Sequence, residues 1–151
     1  MLDKSVKIVV GADHFGLPLK DIIRDHLRAL GYQVDDMGVT NQDPVDYPDV
    51  GASLAATVSA GDYARGILVC GTGAGMAIVA NKVPGVRAGM AYDYASAVNS
   101  REHNDTNVLT LGAGLIGANL AKQIVTVWLA TPFGGGRHER RVLDFHSVMG
   151  F

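Results

Sequence analysis

The chain has 151 residues, of which 48% are hydrophobic and 19% are charged, and its formal net charge is −2. A chain this apolar can bury a core, which excludes wholesale disorder, and its length fits a single domain over residues 1–151, since domains usually take about 100–200 residues. The lack of a basic excess excludes a large cationic surface for nucleic acid or for anionic membranes.

Short β-branched runs alternate with amphipathic segments along the whole chain. Strand runs end in glycine-rich turns, and apolar residues at helical spacing follow them. The stretch at residues 65–70 is apolar almost throughout, as expected for a strand covered on both faces. The predicted strands are residues 6–10, 32–37, 65–70, 85–90 and 107–111, and the predicted helices are residues 19–30, 49–60, 76–82, 91–103, 116–128 and 137–149.

This alternation predicts an α/β fold, a three-layer αβα Rossmann-like sandwich around a five-stranded parallel sheet in the order 2-1-3-4-5. Ligands bind such sheets beyond the carboxyl ends of the strands. Four polar residues follow predicted strand ends, namely Asp13, His14, Cys70 and Thr72.

A second polar group falls elsewhere in this scheme. His103 and Asn104 lie at a predicted helix end, just ahead of the fifth strand. This position puts them at the opposite edge of their own subunit's sheet. They could join the first group only if a second subunit supplied them.

The most informative motif is the run from Cys70 to Gly75, CGTGAG, which leads from a strand into a helix. A helix start presents free backbone N–H groups, and glycines let a ligand approach them closely, so the run predicts a nest for a phosphate or an oxyanion. A cysteine at such a nest should have a lowered pKa and could act as a base. An ordinary buried strand cysteine explains Cys70 equally well.

A second glycine run, GAGLIG at residues 112–117, matches the dinucleotide fingerprint G-x-G-x-x-G formally. No further strand follows it to bring an acidic residue to a ribose about 20 residues on. We therefore interpret these glycines as strand–helix packing and keep nucleotide binding as a minor alternative.

Basic residues near the carboxyl end suggest a phosphate site. Arg137 and Arg141 are four residues apart and project from one helical face, and two guanidinium groups there suit a phosphate dianion. His14 could bind phosphate and the neighbouring Asp13 could shuttle a proton, although a local turn explains Asp13 as well. His103 could be a general acid or could complement a helix dipole.

The chain offers little for metals, disulfides or membranes. The five histidines show no zinc-ligand spacing, and the single cysteine excludes an intrachain disulfide. The amino terminus has no long apolar run, and no segment reaches the roughly 20 apolar residues of a membrane span. We expect a cytoplasmic protein without a metal.

The motifs taken together resemble the type B ribose-5-phosphate isomerases, whose wider family includes allose-6-phosphate and galactose-6-phosphate isomerases. The likeness runs from about residue 7 to residue 144, with the motifs in the family's order. The segments that carry it are GADH at 11–14, DYP at 46–48, CGTGAG at 70–75, NK at 81–82, REHNDTN at 101–107 and GGRH at 135–138.

The resemblance implies a cofactor-free aldose–ketose isomerase that acts as a homodimer or homotetramer with shared active sites. In it, Cys70 matches the base that moves a proton between C1 and C2. Thr72 and His103 match residues that open the sugar ring, and Asp13 and Asn104 match positions near the C1 and C2 oxygens. The loop that holds the enediolate is matched by Gly71, Gly73 and Gly75. The phosphate ligands are matched by His14, Arg137 and Arg141, and Tyr47 matches a residue beside the sugar.

One position departs from the family pattern. Many ribose-phosphate members have a phosphate-binding arginine where this chain has Gly114. The missing charge-assisted contact is worth roughly 1.5–3 kcal/mol when made, so the departure points to a differently placed phosphate or another sugar length.

Three functions remain open from the sequence. The first is isomerisation of ribose 5-phosphate, with a four-carbon substrate such as erythrose 4-phosphate or a six-carbon one such as allose 6-phosphate as variants. The second is a module that binds a sugar phosphate or a nucleotide without turnover. The third is a structural domain with a decayed site.

Overall fold

Strands and helices alternate throughout the computed structural model, which describes residues 2–41 and 43–148. None of the helices in these ranges is both long and apolar enough to cross a bilayer. The strands are β1 (Lys7–Ala12), β2 (Gln33–Asp36), β3 (Arg65–Cys70), β4 (Ala88–Met90) and β5 (Val108–Gly112), and the helices are α1 (Leu17–Ala29), α2 (Tyr47–Ser59), α3 (Ala74–Ala80), α4 (Tyr94–Glu102), α5 (Ala118–Ala130) and α6 (Arg137–Phe145).

The five strands form one parallel sheet in the order β2-β1-β3-β5-β4, which confirms the parallel sheet but corrects the predicted order 2-1-3-4-5. Every residue of β5 is buried, and β5 pairs with β3 on one side and β4 on the other. β4 has three residues, none of them buried, which suits an edge. A strand that is buried throughout needs neighbours on both sides, so β5 lies inside the sheet and β4 outside it.

Two hydrophobic clusters cover the two faces of the sheet and confirm the three-layer prediction. Ile23 of α1 and Trp128 of α5 belong to the first cluster, which also includes Ala97 of α4. Leu54 of α2 and Met76 of α3 belong to the second. The layers place helices α1, α4 and α5 on one face and helices α2 and α3 on the other.

Most element boundaries differ from the predicted ones by a few residues. The predicted fourth strand loses residues 85–87, because Gly85 adopts a left-handed φ of 81° in a turn. The helix predicted over residues 91–103 begins at Tyr94, because Asp93 caps it. The helix predicted over residues 137–149 ends at Phe145, and residue 149 lies outside the described residues.

The buried ammonium group of Lys20, on α1, binds the end of β2 and the loop that follows it. Lys20 is 1% exposed, and its Nζ lies 2.7 Å from Asp36 Oδ2. The same Nζ donates a hydrogen bond to the carbonyl of Val39 at 3.2 Å. A charge this deeply buried needs such partners, so these contacts fix the start of the loop that follows β2 at the carboxyl edge of the sheet.

Candidate active site

The end of β1 places Asp13 and His14 at the carboxyl edge of the sheet. Asp13 is 7% exposed, and its Oδ1 accepts the amide of Gly16 at 2.8 Å, so it shapes the turn into α1 as one sequence interpretation allowed. The Nδ1 of His14 accepts the amide of Val45 at 3.2 Å. A neutral His14 therefore carries its proton on Nε2, which is left free to donate to an anion.

Cys70 ends β3 at the same edge, 5% exposed and at the border of the core. The amide of Gly73 donates to its Sγ at 3.2 Å. Gly73 can aim its amide back at the sulfur because its φ is 85°, in the left-handed region that favours glycine. The sulfur therefore lies at the mouth of the turn into α3, in contact with one of its backbone amides.

The turn after Cys70 is a nest of backbone donors. Thr72 Oγ1 accepts the amide of Ala74 at 3.2 Å, which tightens the turn into α3. Within residues 2–41 and 43–148, no acceptor takes the amide hydrogens of Gly71, Thr72 or Gly75. These amides sit at a helix start, so they are available to an anionic oxygen, as the sequence predicted.

The second glycine run supports this nest by close packing. A Cβ on Gly112 would lie 2.6 Å from the carbonyl oxygen of Thr72, and one on Gly114 would lie 3.0 Å from that of Gly71. The amide of Gly114 also donates to the Gly71 carbonyl at 2.9 Å. Close packing thus accounts for Gly112 and Gly114, whereas Gly117 has open space at its Cβ position.

Two aromatic rings border the nest. The Tyr47 ring, at the start of α2, lies so close to Gly75 that a Cβ there would be 2.7 Å from it. Phe15 is 57% exposed, and its ring faces Gly71 and Gly114. Sequence reasoning missed Phe15; its place after the strand-end pair Asp13–His14 was the available signal.

The other predicted site residues form a separate group. His103 caps the end of α4 and Asn104 follows it, ahead of β5 and therefore at the amino edge of the sheet. The amide of Gly134 donates to the carbonyl of Glu102 at 2.9 Å, which brings the glycine-rich loop and the start of α6 to this edge. Arg137 and Arg141, both exposed on α6, thus lie with His103 and not with His14.

His138 is a second residue that sequence reasoning missed. Its ring stacks on that of His103, with centroids 4.2 Å apart and planes 11° from parallel. Desolvation and then the positive charges of His103, Arg137 and Arg141 lower the pKa of His138 from its usual value. The contact joins the start of α6 to the end of α4, which are far apart in the chain, so its only sequence signal was the position of His138 next to Arg137.

One chain thus holds the predicted site residues in two groups at opposite edges of its sheet. The carboxyl-edge group comprises Asp13, His14, Tyr47, Cys70, Gly71, Thr72, Gly73 and Gly75, and the amino-edge group comprises His103, Asn104, Arg137 and Arg141. No cluster of three or more His, Cys, Asp or Glu side chains suited to a metal occurs among the described residues. The first group has the sulfur and the nest, and the second has the basic side chains.

The Ribose/Galactose Isomerase model matches residues 8–145. The chain belongs to that family. It is 46% identical to ribose-5-phosphate isomerase B of Escherichia coli (strain K12) over 136 residues, which cover 90% of this chain and 91% of the relative. It is 45% identical to the D-erythrulose-4-phosphate isomerase of Pectobacterium atrosepticum over 133 residues, 87% of each chain.

A solved structure of a family member shows the same fold. Ribose-5-phosphate isomerase B of Mycoplasma genitalium with bound ribulose-5-phosphate superposes with a TM-score of 0.92 at 37% identity, covering 96% of this chain and 97% of that one. The resemblance stated from the sequence motifs is confirmed, and so is the isomerase class: the chain is a sugar phosphate isomerase of the ribose-5-phosphate isomerase B type.

Proposed function

We propose that the protein interconverts ribose 5-phosphate and ribulose 5-phosphate through a cis-enediolate, with Cys70 as the base. The observation that carries this proposal is the Cys70 sulfur, which accepts the Gly73 amide at 3.2 Å beside a nest of unengaged amides. A C–H next to a carbonyl is a weak acid, and its removal needs an acceptor for the proton and donors for the developing oxyanion. Cys70 and the nest supply both within a few residues.

The proton transfer balances without a cofactor. After ring opening by Thr72 and His103, the Cys70 thiolate removes the C2 proton, and the electron pair forms a C1–C2 double bond while the C1 oxygen becomes an oxyanion. The proton of the C2 hydroxyl passes to the C1 oxygen, the thiol returns its proton to C1, and the C2 carbonyl forms as the C1–C2 double bond is lost, which regenerates the thiolate. Because Gly73 donates to the sulfur, the amides of Gly71, Thr72 and Gly75 are the ones left for the oxyanion.

The proposal requires two subunits for each site. Asn104, which would sit beside the C1 and C2 oxygens with Asp13, lies with His103 at the amino edge, and so do the phosphate ligands Arg137 and Arg141. His14 would hold the same phosphate from the carboxyl edge through its Nε2. We therefore propose a homodimer or homotetramer in which the carboxyl edge of one subunit faces the amino edge of another, with α6 contacting the partner.

The sugar length is the least constrained part of the proposal. The Pectobacterium four-carbon enzyme and the E. coli five-carbon enzyme are 45% and 46% identical to this chain. Gly114, which stands where many ribose-phosphate members have an arginine, lies next to Phe15 and Gly71 at the rim of the nest, so this chain lacks a basic side chain there. The discriminating measurement is kcat/KM for four-, five- and six-carbon aldose phosphates, and a maximum at erythrose 4-phosphate or allose 6-phosphate would overturn the ribose assignment.

The base assignment is tested with Cys70→Ala and Cys70→Ser. We expect kcat for ribose 5-phosphate to fall by about 10²–10⁴-fold, the usual contribution of a general base, with little change in KM. Because Cys70 borders the core, urea unfolding of both variants must show a native fold before the rates are compared. A Cys70→Ala enzyme with wild-type kcat would rule out the sulfur as the base.

A further inference from the structure

A cavity lies at the amino edge of the sheet, among the residues that precede or begin the strands. Its volume is about 600 Å³, and its polar lining includes Lys7, Tyr63, Arg65, Arg87, Asp105 and Asn107. None of these belongs to the two half-sites of the proposed reaction. The family's sugar-phosphate chemistry therefore does not explain the charges gathered here.

Arg65 is the unusual member of this lining. It begins β3, a central strand that is otherwise buried and apolar, and it pairs in register with Ile8 of β1. Its Nη1 donates to the carbonyl of Ala64 at 2.8 Å, but its buried Nε has no hydrogen-bond partner. No carboxylate of the described chain lies within ion-pair distance of it.

The charges around Arg65 leave an excess of cations. Asp105 is already shared, with its Oδ1 2.8 Å from Arg101 Nη1 and its Oδ2 3.1 Å from Arg87 Nη2. Burial and then the positive charge of Arg101 lower the pKa of Arg65 to about 10, so it remains protonated at neutral pH. Two guanidinium groups thus share the Asp105 carboxylate, while Arg65 and Lys7 line the same cavity with no ion-pair partner in the described chain.

We propose that this cavity binds a small dianion of the phosphate class, held by Arg65 and Lys7, at a site separate from the sugar-phosphate site. Arg87 lines the cavity but is already engaged with the carbonyl and the carboxylate of Asp105 and with His146. The Arg65 guanidinium lines the cavity without a carboxylate partner among the described residues, and its planar fork matches phosphate oxygens. Asp62 also lines the cavity but is exposed on a turn, and Asp105 is neutralised by its two arginines. The ligand is either free phosphate or the phosphate of a monoester.

The test follows backbone amide resonances of ¹⁵N-labelled protein during titration with inorganic phosphate and, separately, with glycerol 3-phosphate. The ionic strength is held constant with chloride. We expect the Ala64 and Asn107 amides to shift and saturate with one or both ligands, and the arm with the lower Kd identifies the source of the phosphate group. Arg65→Gln should raise the Kd measured at these amides by about tenfold or more, since a charge-assisted contact is lost.

Two further variants keep the result interpretable. Arg28→Gln also removes one positive charge, but Arg28 donates only to the Val34 carbonyl, away from the cavity, so its Kd should match the wild type. Lys7→Gln, at an exposed position, should weaken binding even if Arg65→Gln folds poorly. Shifts confined to the Cys70–Gly75 loop, shifts reproduced by chloride, or an unchanged Kd in Arg65→Gln and Lys7→Gln would overturn the proposal.

Discussion

Gly73 holds the geometry of the nest because its φ of 85° lies in the left-handed region and its position has no room for a side chain. A Cβ there would lie 3.0 Å from the backbone carbonyl carbon of Leu111. We expect Gly73→Ala to lower the free energy of unfolding by about 1–3 kcal/mol and to abolish most isomerase activity, because the amide would turn away from Cys70.

Gly117→Ala is the matched control for that change. Gly117 has a φ of −87° and open space around its Cβ position, so alanine there should change the free energy of unfolding by less than about 0.5 kcal/mol. Both variants are measured by urea unfolding and by isomerisation rate. Equal stabilities for the two would contradict the strain assigned to position 73.

His26 makes the stability of the fold depend on pH. Its Nε2 lies 2.9 Å from Thr126 Oγ1, and desolvation followed by the charge of Lys122 lowers its pKa below the usual value of 6.5. The unfolded chain therefore binds more protons, so the contribution of His26 to stability is present above the unfolded pKa of about 6.5 and is lost as pH falls through the lower folded pKa.

We expect the free energy of unfolding of the wild type to fall as pH is lowered from about 8 to about 5, and His26→Gln to fall less. The gap between the two proteins should narrow with falling pH, as measured by urea unfolding across this range. His138, whose pKa is also lowered, adds a slope of the same sign in both proteins and so cancels from the comparison. If the free energy of unfolding of the two proteins changed in parallel with pH, His26 would not be the source of the pH dependence.

At the scale of elements, α4 depends on its amino-terminal cap. Asp93 Oδ1 accepts the amide of Ser96 at 2.7 Å, while Ser96 Oγ accepts the amide of Asp93 at 3.2 Å. Asp93→Ala should therefore cost about 0.5–2 kcal/mol in the free energy of unfolding. Asp46, at the start of α2, makes no side-chain cap hydrogen bond, so Asp46→Ala should lower the free energy of unfolding clearly less than Asp93→Ala. Urea unfolding of both variants and of the wild type measures the difference.

The same elements show what local sequence patterns can and cannot predict. The runs at β1, β3 and β5 and the glycine turn after Cys70 are local features, so the parallel three-layer fold and the nest were predictable. The order of β4 and β5 was wrong because chain order does not say which strand lies inside. The complete burial of VLTLG beside a three-residue β4 decides it, and only the folded chain shows this burial.

Within the candidate site, the limit was contact between distant segments. The strand-end rule found Asp13, His14 and Cys70, and it placed His103 and Asn104 at the other edge. It could not place Arg137 with His103, because that depends on the Gly134–Glu102 hydrogen bond and on the stacking of His138 on His103. The sequence interpretation grouped Arg137 with His14 as phosphate ligands, and within one subunit they are apart.

At the scale of the whole molecule, shared sites predict complementation between inactive subunits. A hybrid of Cys70→Ala and His103→Asn chains would contain one site with an intact Cys70 from one subunit and an intact His103 from the other. Equal mixing with random exchange should restore about a quarter of the wild-type activity per subunit, because half of the dimers are hybrids with one active site each.

The control is a mixture of Cys70→Ala with Thr72→Val, two changes in the same half-site. Neither site of that hybrid has an intact carboxyl edge, so this mixture should stay inactive. Rates are measured with ribose 5-phosphate after subunit exchange, and hybrid formation is checked by native mass spectrometry. Hybrids without recovered activity in the first mixture would show that each chain holds a complete site.

The single thiol also allows the accessibility of the site to be measured by alkylation of the unmodified protein. The chain has one cysteine, and that residue is 5% exposed beside the nest. Any alkylating reagent that forms a thioether with this protein therefore does so at a single known atom. Its rate measures how often the Cys70 sulfur becomes accessible to a molecule of that size, with no need to replace other thiols.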